Sequence, residues 1–198
     1  MAKVKICGLT RIEDIECVNE VLPDYVGFIF APSRRQVSWE QALDLKNHLD
    51  RRILSVGVFV DEPVDTIVEI LDMGIIDVIQ LHGRETEAYI KTIRACTPQP
   101  IIKAVSVRTR SDLAVKTSAD HLLFDHGSGG KGVAFDWSLL KGVSIPYFLA
   151  GGLSAENIDD ALGRTTPFAV DVSSGVETNG LKDPDKVKEL TRRVRRWT

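Results

Sequence analysis

The chain has 198 residues, of which 43% are hydrophobic and 27% are charged, the balance of a folded protein rather than a disordered one. Its length predicts one domain, residues 1–198, and its formal net charge of −3 argues against a nucleic-acid partner. No apolar run approaches the roughly 18 residues of a membrane span, and the first residues lack a secretory signal, so no membrane partner is expected.

Short runs rich in β-branched residues recur along the chain and predict eight strands: Val4–Cys7, Tyr25–Phe30, Ile53–Val60, Asp77–Leu81, Ile101–Val105, His121–Asp125, Pro146–Ala150 and Phe168–Val172. Segments with helical periodicity lie between them, as in Ile12, Ile15 and Val18. Strands that alternate with helices predict parallel strands joined by crossovers.

Several helix starts are marked by capping residues. Thr10 with Glu13 and Ser38 with Gln41 have the spacing of capping boxes. Ser154 is expected to precede a helix through Ala161, and Asp183-Pro184 is typical of an N-cap followed by proline. The basic end Arg192–Arg196 is interpreted as the solvated last turns of the final helix rather than an anion site, because cations suit a helix C-terminus.

Eight strand–helix units favour a single (βα)8 TIM barrel with eight parallel strands. The alternative is an open doubly wound sheet, but the GxGxxG typical of that fold does not follow the first strand. The three cysteines, Cys7, Cys17 and Cys96, form no CxxC pair, so neither a disulfide framework nor a metal site is expected. Reduced thiols predict a cytoplasmic protein, and we expect a monomer.

Polar residues and glycines cluster where the predicted strands end, which is where a (βα)8 barrel places its active site. They are Cys7 after strand one, Gln80 and His82 at strand four, Asp125 at strand six, Gly151 and Gly152 after strand seven, and Asp171, Ser173 and Ser174 at strand eight.

Loops after strands seven and eight often bind phosphate in this fold, and glycines and hydroxyls suit that task. Gly151, Gly152, Ser173 and Ser174 therefore predict an anion site, with tight turns as the alternative. The glycine-rich stretch 127–132 is expected to complete this site or to act as a mobile lid.

Two groups are candidates for proton transfer. Cys7 is expected to face the barrel interior with Lys5, whose charge could favour the thiolate, and an apolar site could keep Asp125 protonated. The alternatives are that Cys7 is a small buried hydrophobe and that Asp125 is a helix cap.

Charged residues at the remaining strand ends suggest further contacts. Strand eight is predicted to point Phe168 outward and Asp171 inward, with Lys103 as the partner of Asp171. In the loop after strand two, an arginine could bind a carboxylate through its two-pronged guanidinium. The alternative is a solvated loop charge, which we prefer for Arg34.

These residues resemble the phosphoribosylanthranilate isomerases of tryptophan biosynthesis. Six motifs carry the resemblance: Lys5–Thr10, Val26–Phe30 with Ser33 and Arg35, Val78–Gly83, Gly129–Trp137, Gly151–Leu153 and Val170–Glu177. The glycine turns alone are weak signals, but the combination of Lys5–Thr10, Val78–Gly83 and Val170–Glu177 is specific.

The resemblance implies a (βα)8 barrel that catalyses an Amadori rearrangement of a small phosphorylated substrate without a cofactor. It implies that Cys7 is the general base and Asp125 the general acid. By the same resemblance, the substrate-binding residues are Arg35, Gln80, His82 and Asp171, and the phosphate-binding residues are Gly129, Gly130, Gly151, Gly152, Ser173 and Ser174.

Other phosphate-binding barrels are alternatives. Ribulose-phosphate epimerases would need several metal-binding histidines, and His82 alone does not supply them. Indole-glycerol-phosphate synthases would need a catalytic lysine and glutamate at strand ends, where only Lys103 is similar. A non-catalytic binding barrel is disfavoured by the presence of both Cys7 and Asp125. Activity on the aminoimidazole substrate of histidine synthesis is disfavoured because that substrate has two phosphates and only one phosphate site is predicted.

Overall fold

The computed structural model describes residues 2–126 and 136–197. Eight parallel strands pair in chain order and close into a barrel, in which the last strand pairs with the first. The strands are β1 Lys3–Cys7, β2 Tyr25–Ile29, β3 Leu54–Phe59, β4 Val78–Leu81, β5 Ile101–Ser106, β6 His121–Asp125, β7 Tyr147–Leu149 and β8 Ala169–Val172. The predicted (βα)8 fold is confirmed.

Six α-helices in the described ranges cover the barrel: α1 Ile12–Val21, α2 Trp39–His48, α3 Val64–Asp72, α4 Glu87–Cys96, α5 Ile158–Arg164 and α6 Pro184–Arg196. Short 3-10 helices lie at Arg110–Leu113 and Trp137–Leu140, in the connections after β5 and β6. A small hairpin follows β8, formed by β9 Glu177–Thr178 and β10 Leu181–Lys182. Within the described ranges, no helix combines the length and apolar character that crossing a bilayer requires.

Two of the helix starts differ from the prediction. The predicted capping box between Thr10 and Glu13 is wrong, because α1 begins at Ile12 with Arg11 as its N-cap, and the Asp14 carboxylate caps the helix start. That carboxylate accepts hydrogen bonds from the backbone N–H groups of Thr10 and Arg11 at 3.0 and 3.2 Å. An acidic residue in the first turn also suits the helix dipole.

The later helix starts are closer to prediction. Ser38 accepts a hydrogen bond from the Gln41 N–H at 3.2 Å, as a cap should. Asp183 caps α6 by accepting from two backbone N–H groups of the first turn. Ser154, however, precedes a turn, and α5 begins only after Asn157, whose amide oxygen accepts from the Ser154 N–H at 2.9 Å.

Alternation along the strands separates two apolar layers. One layer packs between strands and helices and includes Val4 and Ile6 of β1. The other fills the barrel interior with side chains from the opposite strand faces. Lys5 and Cys7 therefore lie on the inner side of β1, as predicted.

The outward prediction for Phe168 is wrong. Its ring packs against the interior layer at the floor of the barrel and stacks on His121 with ring centroids 4.5 Å apart. β8 begins only at Ala169, so the strand alternation does not extend back to this residue. The Lys3 ammonium lies over the same ring, 5.0 Å from its centroid.

This aromatic floor is expected to make stability fall as the pH drops below neutrality. Burial lowers the pKa of His121, Asp120 opposes this shift and Lys3 reinforces it. The unfolded chain then binds the proton first, so stability is lost as the pH falls through the unfolded histidine value of about 6.5. Urea unfolding between pH 7.5 and 5.5 measures the loss.

A variant with an apolar ring, His121→Phe, is expected to lose less stability over that pH interval than the wild type does. The exposed His48 on α2 provides the control, because His48→Asn should leave the pH dependence unchanged. Equal losses in the wild type and in His121→Phe would contradict this account of the floor.

Candidate active site

A cavity of about 300 Å³ lies at the carboxyl ends of the strands. It brings together all the site residues predicted from the sequence that lie in the described ranges: Cys7, Arg35, Gln80, His82, Asp125, Gly151, Gly152, Asp171, Ser173 and Ser174. The other two, Gly129 and Gly130, lie outside the described residues, as does the whole glycine-rich stretch 127–132. The polar residues and glycines at the predicted strand ends therefore indicated where the cavity lies.

Cys7 ends β1 and its thiol is buried against β2. The facing residue is Gly27, and a Cβ added there would lie 2.6 Å from the Cys7 sulfur. The absence of a side chain on β2 therefore makes room for the thiol. Burial raises the pKa of Cys7, Lys5 opposes this shift and Asp171 reinforces it, so the neutral thiol is favoured.

The partner of Asp171 is Lys5, not Lys103 as predicted. The Lys5 ammonium donates to both carboxylate oxygens, at 2.9 and 3.0 Å, since β1 and β8 pair with these two residues in register. Lys103 lies on β5, where it contacts Glu85 at 2.6 Å and the carbonyl of Gly83 at 2.7 Å. The charge of Lys5 is therefore largely balanced by Asp171.

Asp125 ends β6 on another side of the cavity. One carboxylate oxygen accepts from the His126 N–H at 2.6 Å, and the other lies 3.6 Å from Nε2 of His82. Gly151 approaches so closely that an added Cβ would lie 2.8 Å from Oδ1, and its φ is +86°. Both facts favour glycine beside this carboxylate.

Gln80 on β4 and His82, which directly follows this strand, both line the cavity. The Gln80 amide nitrogen lies 3.0 Å from Nδ1 of His82, which as an acceptor leaves the histidine proton on Nε2, toward Asp125. Gln80 is only 1% exposed, and its amide oxygen has no hydrogen-bond partner among the described residues. A buried acceptor of this kind is costly unless a ligand donates to it.

The turns after β7 and β8 form one wall of the cavity. Gly151 and Gly152 both have positive φ, +86° and +64°, a backbone that favours glycine. The Ser173 hydroxyl donates to the Cys7 carbonyl at 2.9 Å, and Ser174 begins a 3-10 turn. This wall therefore presents short residues and backbone amides, the chemistry of an anion site.

Arg35 is held by a residue whose role the sequence analysis missed. Nε and Nη2 of Arg35 donate to the two carboxylate oxygens of Glu177, at 2.7 and 3.0 Å. The same carboxylate accepts from Lys182 at 2.8 Å and from the exposed Arg34 at 2.6 Å. Glu177 stands at the end of the last sequence motif, but nothing in the pattern pointed to Lys182.

An apolar wall was also missed. Ile29, Pro32, Val58 and Val60 line the side of the cavity formed by β2, β3 and their loops. The alternation along β2 and β3 could have indicated this wall. It was missed because the search for site residues considered only polar residues and glycines at the strand ends. An aromatic group could lie against this wall while anionic groups contact the opposite wall and Arg35.

A closed (βα)8 barrel with a thiol, a carboxylate and a wall of glycines and serines around a cavity at its carboxyl end has the architecture of a TIM-barrel enzyme. The family model of N-(5'-phosphoribosyl)anthranilate (PRA) isomerase matches residues 4–193. The chain therefore belongs to the PRA isomerase family of tryptophan biosynthesis, as the resemblance implied.

Individual relatives agree with this assignment. The chain is 46% identical over 199 residues to the N-(5'-phosphoribosyl)anthranilate isomerase of Endomicrobium trichonymphae, covering 98% of this chain and 99% of that one. The Thermus thermophilus crystal structure is 30% identical, with a TM-score of 0.89 over 99% of this chain and all of that one. Another crystal structure, a complex with reduced 1-(o-carboxyphenylamino)-1-deoxyribulose 5-phosphate, is 35% identical, with a TM-score of 0.87 over 98% and 99% of the two chains.

Proposed function

We propose that this enzyme converts N-(5-phosphoribosyl)anthranilate into 1-(2-carboxyphenylamino)-1-deoxyribulose 5-phosphate, with Cys7 as general base and Asp125 as general acid. The observation that carries the proposal is that one thiol and one carboxylate lie at separate strand ends around a cavity that is also lined by an arginine and by a wall of glycines and serines. The rearrangement is an isomerisation that needs no external oxidant or reductant, so no cofactor is part of the proposal.

The first step opens the sugar ring. A protonated Asp125 donates its proton to the ring oxygen of the furanose, and the lone pair of the substrate nitrogen forms the C1–N double bond as the C1–O bond breaks. His82, whose Nε2 lies 3.6 Å from the carboxylate, is placed to orient the acid. The product of this step is a protonated Schiff base.

The second step removes a carbon-bound proton. The iminium group acidifies C2, and the thiolate of Cys7 takes the C2 proton while the electron pair moves to the nitrogen. The enolamine then gains a proton at C1 while its C2 hydroxyl loses one, which gives the aminoketone. A general base needs neither strong nucleophilicity nor a covalent intermediate, so a free thiol without a histidine partner is sufficient.

Substrate binding follows from the walls of the cavity. The backbone around Gly152, Ser173 and Ser174 would hold the phosphate, and Arg35 would receive the anthranilate carboxylate. Asp171 would lie near the substrate amine. The relative that binds a reduced carboxyphenylamino-deoxyribulose phosphate supports a ligand with these same anionic ends.

Gln80 would complete the binding set, because its partnerless amide oxygen is suited to accept from a substrate hydroxyl. His82 would contact the substrate from beside the acid. The ring of anthranilate would pack on the apolar wall of Ile29, Pro32, Val58 and Val60.

The proposal is tested by following the fluorescence of phosphoribosylanthranilate as the enzyme consumes it and identifying the product by mass and NMR spectra. We expect turnover to the 2-ketose without added metal or cofactor. The aminoimidazole substrate of histidine synthesis, which has a second phosphate, is expected to give no turnover. Absence of turnover on the first substrate would refute the proposal.

The remaining predictions from the sequence concern the whole molecule. A single domain over residues 1–198, a cytoplasmic location and a monomeric state stay predictions. Light scattering during gel filtration measures the last of these directly, and a mass near 21.9 kDa is the expected result.

A further inference from the structure

The charges around Cys7 are unevenly distributed. On its own strand stands Lys5 and on β8 stands Asp171, and these two residues form a pair with contacts of 2.9 and 3.0 Å. From β2 the residue beside the thiol is Gly27, which carries no charge. Across the cavity, β6 contributes Asp125, and His82 follows β4. Lys5 favours the thiolate, but its partner Asp171 acts against it.

A further cation stands behind the loop that follows β8. Lys182 lies on the hairpin strand β10, and its side chain is only 2% exposed. Its ammonium donates to the Ser173 carbonyl at 3.1 Å and lies 3.4 Å from the Ser173 hydroxyl. That hydroxyl in turn donates to the Cys7 carbonyl at 2.9 Å. Ser173 therefore links the buried ammonium of Lys182 to Cys7, the proposed base.

The charge of Lys182 is only partly neutralised. Its carboxylate partner, Glu177, also accepts from Arg34 and Arg35. Three cations share this one carboxylate, which leaves two positive charges in excess on this side of the cavity. The Lys5–Asp171 pair, in contrast, contributes no excess. The cluster around Glu177 is thus the positive side of the site.

We infer that Lys182 is a positioning residue for the general base, because its buried ammonium, held by Glu177 and Ser173, supplies positive charge that favours the Cys7 thiolate. This inference rests on the proposed role of Cys7. Burial raises the pKa of that thiol, and Lys182 is among the groups that act against the rise. The electrostatic effect is strong here because the ammonium and the thiol are both buried.

The inference explains why an element outside the barrel belongs to the site. The hairpin residues Glu177 and Lys182 contact Arg35 and Ser173, which line the cavity, but neither hairpin residue lines it. Lys182 therefore acts through other residues and touches no reacting atom. Its removal should change how readily Cys7 ionises more than how tightly the substrate binds.

The experiment measures ionisation of Cys7 directly, by its rate of alkylation with iodoacetamide as a function of pH, with the modified peptide quantified by mass spectrometry. Lys182→Met is expected to slow alkylation of Cys7 near neutral pH about tenfold, the effect of roughly one pKa unit from a lost opposite charge. The pH profile of kcat/KM should move toward higher pH. Lys182→Arg is expected to restore both measurements.

Matched controls separate charge from structure. Lys186 is an exposed lysine of α6 that donates to the Glu177 carbonyl at 2.8 Å, and Lys186→Met should leave alkylation of Cys7 unchanged. The exposed Cys96 reports in the same samples, and its rate should not change in any variant. If Lys182→Met does not fold, Lys182→Gln, which keeps a hydrogen-bond donor without the charge, takes its place.

Alkylation of Cys7 within about twofold of the wild-type rate in the neutral variants would overturn the inference, since a tenfold change corresponds to one pKa unit. A slowing in Lys186→Met equal to that in Lys182→Met would also overturn it. Alkylation does not depend on turnover, so it tests the role of Lys182 separately from the proposed function. Failure of the proposed acid–base function would appear instead as activity that survives loss of the Cys7 thiol.

Discussion

Cys7→Ser is expected to lower kcat at least about a hundredfold, the ordinary contribution of a general base. Serine is close to cysteine in shape, so the loop around it should be preserved, but its hydroxyl ionises far less readily than a thiol and cannot accept the C2 proton efficiently. The fluorescence assay of phosphoribosylanthranilate consumption gives the rate directly. Cys96→Ser, on the exposed end of α4, should retain normal turnover.

The pH profile gives this prediction a second measurement. Since burial raises the pKa of Cys7, the thiolate is the minor species near neutral pH. The wild-type kcat/KM, which reports the free enzyme, should therefore rise as the pH increases through this range. That rise should be lost in Cys7→Ser. Near-normal turnover in the serine variant would remove Cys7 from the mechanism.

Asp125→Asn is expected to have an effect of the same size, at least about a hundredfold on kcat. The amide oxygen can still accept from the His126 N–H, as the carboxylate does at 2.6 Å, so the local geometry should survive. The amide has no acidic proton for the ring oxygen, so ring opening becomes slow. Steady-state kinetics measures the loss of turnover, and the dissociation constant of a reduced product analogue measures any loss of binding.

Binding of the product analogue should change little in Asp125→Asn, because this residue is assigned to proton transfer rather than to anchoring. The control is Asp120, which precedes the opposite end of the same strand and contacts the Ile101 N–H at 2.8 Å. Asp120→Asn is expected to affect stability and not turnover. An asparagine variant at position 125 that turns over normally would show that another group is the acid.

The sequence predicted features that depend on one strand at a time. Alternation along β1 placed Lys5 and Cys7 on one face regardless of which strands lie beside it. The carboxyl ends of parallel strands meet at one edge, so Asp125 and Ser173 could be assigned to one cavity before their neighbours were known. These rules are local, and the structure agrees with them.

Features that depend on contacts between elements were harder to predict. The choice of Lys5 over Lys103 as the partner of Asp171 follows from the closing of the barrel between β1 and β8, which strand patterns do not specify. Lys182 lies in a hairpin of two-residue strands, too short to show any periodicity. Its burial results from the carboxylate of Glu177, and no composition rule gives such a pairing.

Helix starts failed for a related reason. Thr10 and Glu13 have the spacing of a capping box, but Asp14 accepts from the Thr10 N–H group that Glu13 would need, and also from the Arg11 N–H group. A carboxylate in this position also interacts with the Arg11 guanidinium at 2.7 Å, which a hydroxyl cannot match. The motif spacing therefore predicted where α1 begins, but the charge of the side chain determined that Asp14 is the capping residue.

The joining of β1 to β8 has a consequence for how the enzyme is made. The Lys5–Asp171 and Ser173–Cys7 contacts each link residues 166 positions apart, so they bring the beginning of the chain to its end. During translation β1, which carries the thiol, is therefore made long before β8, which supports it. Until β8 has been made and has paired with β1, Lys5 lacks its carboxylate partner and the Cys7 carbonyl lacks the Ser173 hydroxyl.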